Sequence, residues 1–169
     1  MSVVVVKVQL DKIDIAADSI TVRGWTQSKD SNKFSKLAKI NGLFLGSVGL
    51  AEESSLLQVF CATRRPEGPT EAAIVDFFSE FAEWKNKKIG KYTIENDYLL
   101  VVDHRVFQIE RFFVHEITDF MAIGAGRDFA LAALHLGHDV QRAVEVACEL
   151  SVYCETPVKA YEICKKVAS

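Results

Sequence analysis

Apolar residues recur along this chain with period two in some stretches and near period 3.6 in others, and the changeovers are sharp. The opening "MSVVVVKVQL" reads as a strand from Val3 to Leu10, with Val4, Val6, Val8 and Leu10 on one face. After Asp11-Lys12, Ile13 to Ala17 reads as the return strand of a hairpin, and Ile20 and Val22 continue the sheet. Residues 26–33, "TQSKDSNK", are polar and unpatterned and read as a loop. "KFSKLAKI" and "GLFLGSVG" then read as two strands joined at Asn41-Gly42, a dipeptide suited to the left-handed residues of a two-residue hairpin turn.

From Ala51 the period lengthens. "AEESSLLQVFCATRR" reads as a helix with Glu52 and Glu53 in its first turn, Arg64 and Arg65 in its last, and Pro66 as its stop. "PTEAAIVDFFSEFAEWKNKK" is a second helix, capped by Thr70, whose Ile74, Phe77, Phe78, Phe81 and Trp84 form one stripe. Such a stripe belongs in a core. "YLLVVDHRVFQIERF" reads as a hairpin turning at Asp103-His104, and "DFMAIGAGRD" as a strand running into a glycine turn. "DFALAALHLG" and "DVQRAVEVACELSVY" are two more helices, with Gly137 at the end of the first and Asp139 capping the second. Strands, two helices, strands, two helices: that order predicts an α+β fold, an antiparallel sheet core with helices packed outside, in one domain over residues 1–169.

Composition narrows the function. The 169 residues are 49% hydrophobic and 25% charged, with a formal net charge of -3, so neither nucleic acid nor an anionic membrane is the expected partner. No apolar run is long enough to span a bilayer, and the N-terminus lacks the basic region of a signal peptide, so a cytoplasmic location is expected. Cys61, Cys148, Cys154 and Cys164 show no CxxC pairing and no zinc-ligand spacing, and read as structural thiols. His135 and His138 are separated by Gly137, and no carboxylate completes a metal site with them, so no metal or other cofactor is expected. "GAGRD" opens a helix but lacks both the dinucleotide fingerprint and the P-loop pattern; it reads as a tight turn lining a pocket.

The second half, "DFMAIGAGRDFALAALHLG" followed by "DVQRAVEVACELSVYCE", resembles that of proteasome β-type subunits and their bacterial HslV-like relatives, where an "AIGSG" strand leads into an alanine-rich helix. The first half is similar too: "AADS" at 16–19 stands at an "AGDG"-like turn, a lysine precedes a strand, and "GSVG" at 46–49 matches a Gly-x-x-Gly. The resemblance runs over essentially the whole chain. It implies a four-layer αββα sandwich of two antiparallel sheets flanked by helices, and an N-terminal-nucleophile (Ntn) peptidase working in a homo-oligomeric ring.

Residue by residue, it makes Ser2 the nucleophile once Met1 is removed, Lys33 the cation beside the hydroxyl and Asp18 its partner. Gly46, Ser47 and Gly49 fall at the oxyanion hole or pocket, as do Gly124, Ala125 and Gly126, with Ala125 where the family carries a serine that assists proton transfer. The resemblance further implies six- or sevenfold rings that stack, an ATP-dependent unfoldase as partner and peptides as substrates, with the Phe-rich helix at 71–84 a candidate for subunit contacts. The alternative is a catalytically inactive homologue of the same fold acting as a self-assembling scaffold or binding protein. A free α-amine has a pKa of about 7.7–8.0 and can take a hydroxyl proton near neutrality. A strand that begins at residue 3 would hold such a terminus in place.

Overall fold

A computed structural model describes residues 2–29 and 35–165. In chain order these form β1 (Val3–Val8), β2 (Lys12–Ala17), β3 (Ile20–Arg23), β4 (Thr26–Lys29), β5 (Leu37–Ile40) and β6 (Leu43–Val48), then α1 (Ala51–Cys61) and α2 (Glu71–Ile89). There follow β7 (Asp97–Val102), β8 (Arg105–Glu110), β9 (Phe113–Ile117), β10 (Phe120–Gly124), α3 (Arg127–His135), α4 (Val140–Leu150) and β11 (Lys159–Cys164). One antiparallel sheet has the order β10-β1-β2-β11, a second the order β5-β6-β7-β8-β9, and β3 and β4 make a separate ribbon.

Three apolar layers hold four structural layers together. Val3, Val5 and Ala16 pack against Ala130, Leu134, Val144 and Ala147 of α3 and α4. Val4, Val6, Ile13 and Ile15 face Val48, Leu99, Val101 and Val106 across the gap between the sheets. Leu43, Leu45, Tyr98, Leu100 and Phe107 face Phe60, Phe77, Phe78 and Phe81 of α1 and α2. The result is the αββα sandwich. It also explains the valine run: a strand covered on both faces needs apolar residues at every position. Val3 to Val6 are all 0% exposed, each worth roughly 1.5–3 kcal/mol in burial.

Local chemistry sets the turns and caps. Asn41 and Gly42 have φ of 49° and 77°, and Asp103 and His104 have 47° and 65°, so both expected hairpins turn through paired left-handed residues. Thr70 Oγ1 accepts the Ala73 N–H at 3.2 Å and Asp139 Oδ1 that of Arg142 at 2.8 Å.

The structure corrects several expectations. β1 ends at Val8 and Leu10 is fully exposed, because the chain is already turning into β2. Residues 26–29 are not loop: they pair with β3 through backbone hydrogen bonds, which need no apolar alternation, while residues 30–33 lie outside the described residues. α1 stops at Cys61, and Arg64 and Arg65 instead lie over the Phe60 ring and beside Asp103. β9 and β11 add edge strands whose exposed residues carried no signal, β11 by pairing with β2. The Phe stripe of α2 lies in the core as its period implied, with Phe77, Phe78 and Phe81 buried. Among the described residues no helix is long and apolar enough to cross a membrane.

One ion pair is buried between α1, α2 and the second sheet. Lys85 Nζ donates to Glu53 Oε2 at 2.5 Å and to the Thr93 carbonyl at 2.6 Å. Glu53 also accepts the N–H groups of Glu95 and Asn96 and the Tyr98 hydroxyl. Burial alone would raise the Glu53 pKa, but the Lys85 ammonium and these donors together hold it below the ordinary value of 4.5. A depressed folded-state pKa adds stability above the unfolded value, lost as pH falls through the folded one. Stability measured by urea unfolding should therefore drop as pH falls below about 4.5, and the drop should be shallower in Glu53→Gln than in the parent.

Candidate active site

Ser2 sits just before β1 and is 4% exposed, because the end of β10 wraps it. Val3 pairs with Gly124, and the Gly126 N–H donates to the Ser2 carbonyl at 3.2 Å. A Cβ at Gly124 would collide with that carbonyl, and the residue's φ of +96° also calls for glycine. At Gly126 a Cβ would press on Cys154 Sγ and on Val3. These two glycines let the backbone close around residue 2. Ala125 between them is exposed and offers no hydroxyl.

Asp18 follows β2 and is 2% exposed. Its Oδ1 accepts the Val3 N–H at 2.8 Å, and its Oδ2 accepts those of Ile20 at 3.2 Å and Glu155 at 3.4 Å. The same carboxylate pairs with Lys36, Nζ to Oδ1 at 2.9 Å. Lys36 Nζ also donates to the Ile20 carbonyl at 2.6 Å and the Asp18 carbonyl at 3.2 Å. Three oxygens from residues 18–20 thus fix an ammonium whose side chain is 12% exposed.

Lys33 lies outside the described residues. Among the described residues, the lysine against Asp18 is Lys36, immediately before β5. Three lysines, Lys29, Lys33 and Lys36, fall within eight residues here, and spacing alone does not choose among them. The usable signal was position: Lys36 is the last lysine before the apolar residues of the strand.

Ser2 and Lys36 line one cavity of about 220 Å³, together with Ile20, Val22, Gly49 and Ser54. The glycines of "GSVG" have separate jobs. Gly46 is at the seam between the sheets, where an added Cβ would lie 2.6 Å from Val4 Cγ1, so it serves packing and does not line the cavity. The Ser47 N–H is spent on the Lys36 carbonyl at 2.9 Å, although Ser47 does line the cavity. Gly49 stands at the cavity with φ +126°, and no described residue accepts a hydrogen bond from its N–H. An unpaired backbone donor beside a buried hydroxyl and a fixed cation is suited to binding a developing oxyanion.

Among the described residues no group of three or more His, Cys, Asp or Glu could hold a metal ion. Burial pushes the Cys148 thiol up to about 12 and that of Cys154 up to about 11, with Asp18 adding to both, so neither is a thiolate near neutrality.

Removing Asp18 would take from the largely buried Lys36 ammonium the carboxylate that lies 2.9 Å from it. Asp18→Ala should therefore lower unfolding stability by about 3–5 kcal/mol, and the Asp18→Ala/Lys36→Met pair by less than the sum of the single changes, read by urea denaturation.

No protein-family model and no curated protein sequence matches the chain. Solved structures do. Thiobacillus denitrificans BPH in complex with epoxomicin superposes with a TM-score of 0.85 at 20% identity, covering 98% of this chain and 100% of that one. Eukaryotic HslV from Trypanosoma brucei matches with 0.71 at 17% identity over 95% and 98%. Anbu (ancestral beta-subunit) from Yersinia bercovieri matches with 0.73 at 16% identity over 96% and 81%. The chain therefore has the fold of the proteasome-like N-terminal-nucleophile hydrolases, here shared with BPH, HslV and Anbu.

Proposed function

We propose that this protein is a proteasome-like peptidase subunit that hydrolyses peptide bonds with Ser2 as an N-terminal serine nucleophile. The observation that carries the reading is the Lys36–Asp18 pair, fixed by buried partners in the cavity that Ser2 lines. Hydrolytic removal of Met1 gives Ser2 a free α-amine. That amine takes the hydroxyl proton as Ser2 Oγ attacks the substrate carbonyl, and Lys36 favours the oxygen anion by its charge. The Gly49 N–H donates to the oxyanion of the tetrahedral intermediate. Collapse breaks the C–N bond, the leaving amine receives the proton, and water then releases the acyl group from Ser2 Oγ to restore the enzyme.

In this reading the 169 residues form one proteasome-subunit-like domain, the subunits assemble into homo-oligomeric rings of six or seven, and an ATP-dependent unfoldase delivers substrate. Leu136, Leu150, Val152 and Tyr153 support the assembly, since they leave large apolar side chains 77%, 61%, 85% and 47% exposed around the ends of α3 and α4. The second reading, a non-catalytic scaffold, is favoured by Ala125, which brings no hydroxyl to the place where the resemblance puts a proton-relay serine.

Intact mass, peptide cleavage and covalent capture by epoxomicin, the compound in the complex with Thiobacillus denitrificans BPH, separate the two. Protein lacking Met1 should cleave a fluorogenic peptide panel and gain the mass of epoxomicin on residue 2. Ser2→Ala should lose both while sedimenting as the same oligomer. Undiminished cleavage by Ser2→Ala would sink Ser2 as nucleophile, and a processed wild-type protein inert to every peptide and to the probe would establish the scaffold.

A further inference from the structure

Behind the Gly49 turn lies a buried polar cluster that the mechanism above does not use. Asn96, just before β7, is 1% exposed. Its side-chain amide grips Leu50 from both directions: Oδ1 accepts the Leu50 N–H at 2.5 Å, and Nδ2 donates to the Leu50 carbonyl at 2.9 Å. Nδ2 also donates to Ser54 Oγ at 3.0 Å, in the first turn of α1. A Cβ on Gly49 would collide with this same amide, so the Gly49 backbone lies directly on it.

The asparagine is itself immobilised. Its backbone N–H donates to Glu53 Oε1 at 3.0 Å, and Glu53 is held by Lys85 and by the Tyr98 hydroxyl at 2.9 Å. A continuous chain of buried polar groups therefore runs from α2 through α1 to the turn that borders the cavity. An amide is the one side-chain group that copies a peptide unit, giving a neighbouring residue both an acceptor and a donor. Here it replaces the strand neighbour that the turn lacks beyond the end of β6. Glycine is the residue with most backbone freedom to lose, so a turn built on Gly49 needs such a clamp if its N–H is to stay in one place.

We propose that Asn96 is a positioning residue for peptide hydrolysis, fixing the Gly49–Leu50 turn so that the Gly49 N–H keeps its place beside Ser2. The proposal rests on the peptidase reading and adds to it a residue that touches neither substrate nor nucleophile. Losing an oxyanion donor, or shifting one by about 1 Å, costs roughly a hundredfold in rate, which sets the scale expected here.

The test compares wild type, Asn96→Ala, Asn96→Asp and a core control, Phe78→Leu, all with Met1 removed. Steady-state kinetics on one fluorogenic peptide are read beside hydrogen exchange over residues 49–54 and thermal unfolding. Asn96→Ala should lower kcat by roughly 10- to 100-fold with KM changed less than about threefold, and should speed exchange at the Leu50 amide. Asn96→Asp keeps the acceptor for the Leu50 N–H but loses the donor to its carbonyl, so its kcat should fall between the two. Phe78→Leu should lower the melting temperature and leave kcat unchanged.

The positioning role is overturned if Asn96→Ala keeps its kcat, or if kcat falls as far in Phe78→Leu at a comparable loss of stability. Should Asn96→Ala fail to fold, Asn96→Asp decides, and a wild-type kcat there overturns the role. A processed wild-type protein with no hydrolysis overturns the peptidase reading and this role with it, whereas hydrolysis that survives loss of the Asn96 amide overturns the role alone.

Discussion

The buried carboxylate of Asp18 is the constraint on which the site depends. It accepts three backbone N–H groups, from Val3, Ile20 and Glu155, and pairs with Lys36. Those partners come from the start of β1, the start of β3, the segment before β11 and the residue before β5. One side chain therefore ties three distant stretches, and the start of the strand that follows it, to a single point. A carboxylate held this deeply is tolerable only because every attraction is satisfied at once, by charge-assisted hydrogen bonds and by an opposite charge. The same arrangement makes Lys36 a fixed charge, since its ammonium is committed to oxygens of residues 18–20 and cannot swing into solvent.

The sandwich supplies the rigidity behind that point. β1 is covered by α3 and α4 on one face and by the second sheet on the other, so residue 2 emerges from a strand buried on both faces. Close approach of backbones does the rest. Gly46 lets the two sheets meet beneath Val4, while Gly124 and Gly126 let the end of β10 fold over Ser2. Two walls of the cavity thus have separate supports: Asp18 and Lys36 on the β1 side, and the Glu53, Lys85 and Asn96 cluster on the α1 side. Buried polar networks that are fully satisfied specify one arrangement of the chain, which suits a site where reacting groups must stay within about an angstrom of their places.

What was legible in the sequence was what neighbouring residues decide among themselves. The hairpin turns at Asn41-Gly42 and Asp103-His104, the caps at Thr70 and Asp139, the Phe stripe of α2 and the strand at the valine run all follow from periodicity and local backbone preference. So did the α+β class and, through short motifs, the resemblance that singled out Ser2 and Asp18. Burial of the valine strand on both faces, by contrast, came from the packed layers. β4 and β11 escaped because an edge or ribbon strand can be held by backbone pairing with exposed side chains, leaving no alternation to read.

The lysine beside Asp18 and the asparagine beneath Gly49 were beyond the sequence for a related reason. Lys29, Lys33 and Lys36 differ little as isolated residues, and Asn96 in "IENDYLL" looks like an ordinary turn residue. Their roles come from groups far away in the chain: Lys36 meets a carboxylate 18 positions earlier, and Asn96 meets Leu50, 46 positions earlier. The sequence by itself determined which segments are strands or helices wherever short-range sterics and burial period settle the matter. The tertiary structure alone decided which charges and amides meet, because burial makes a polar group seek whichever partner the packed layers bring within reach.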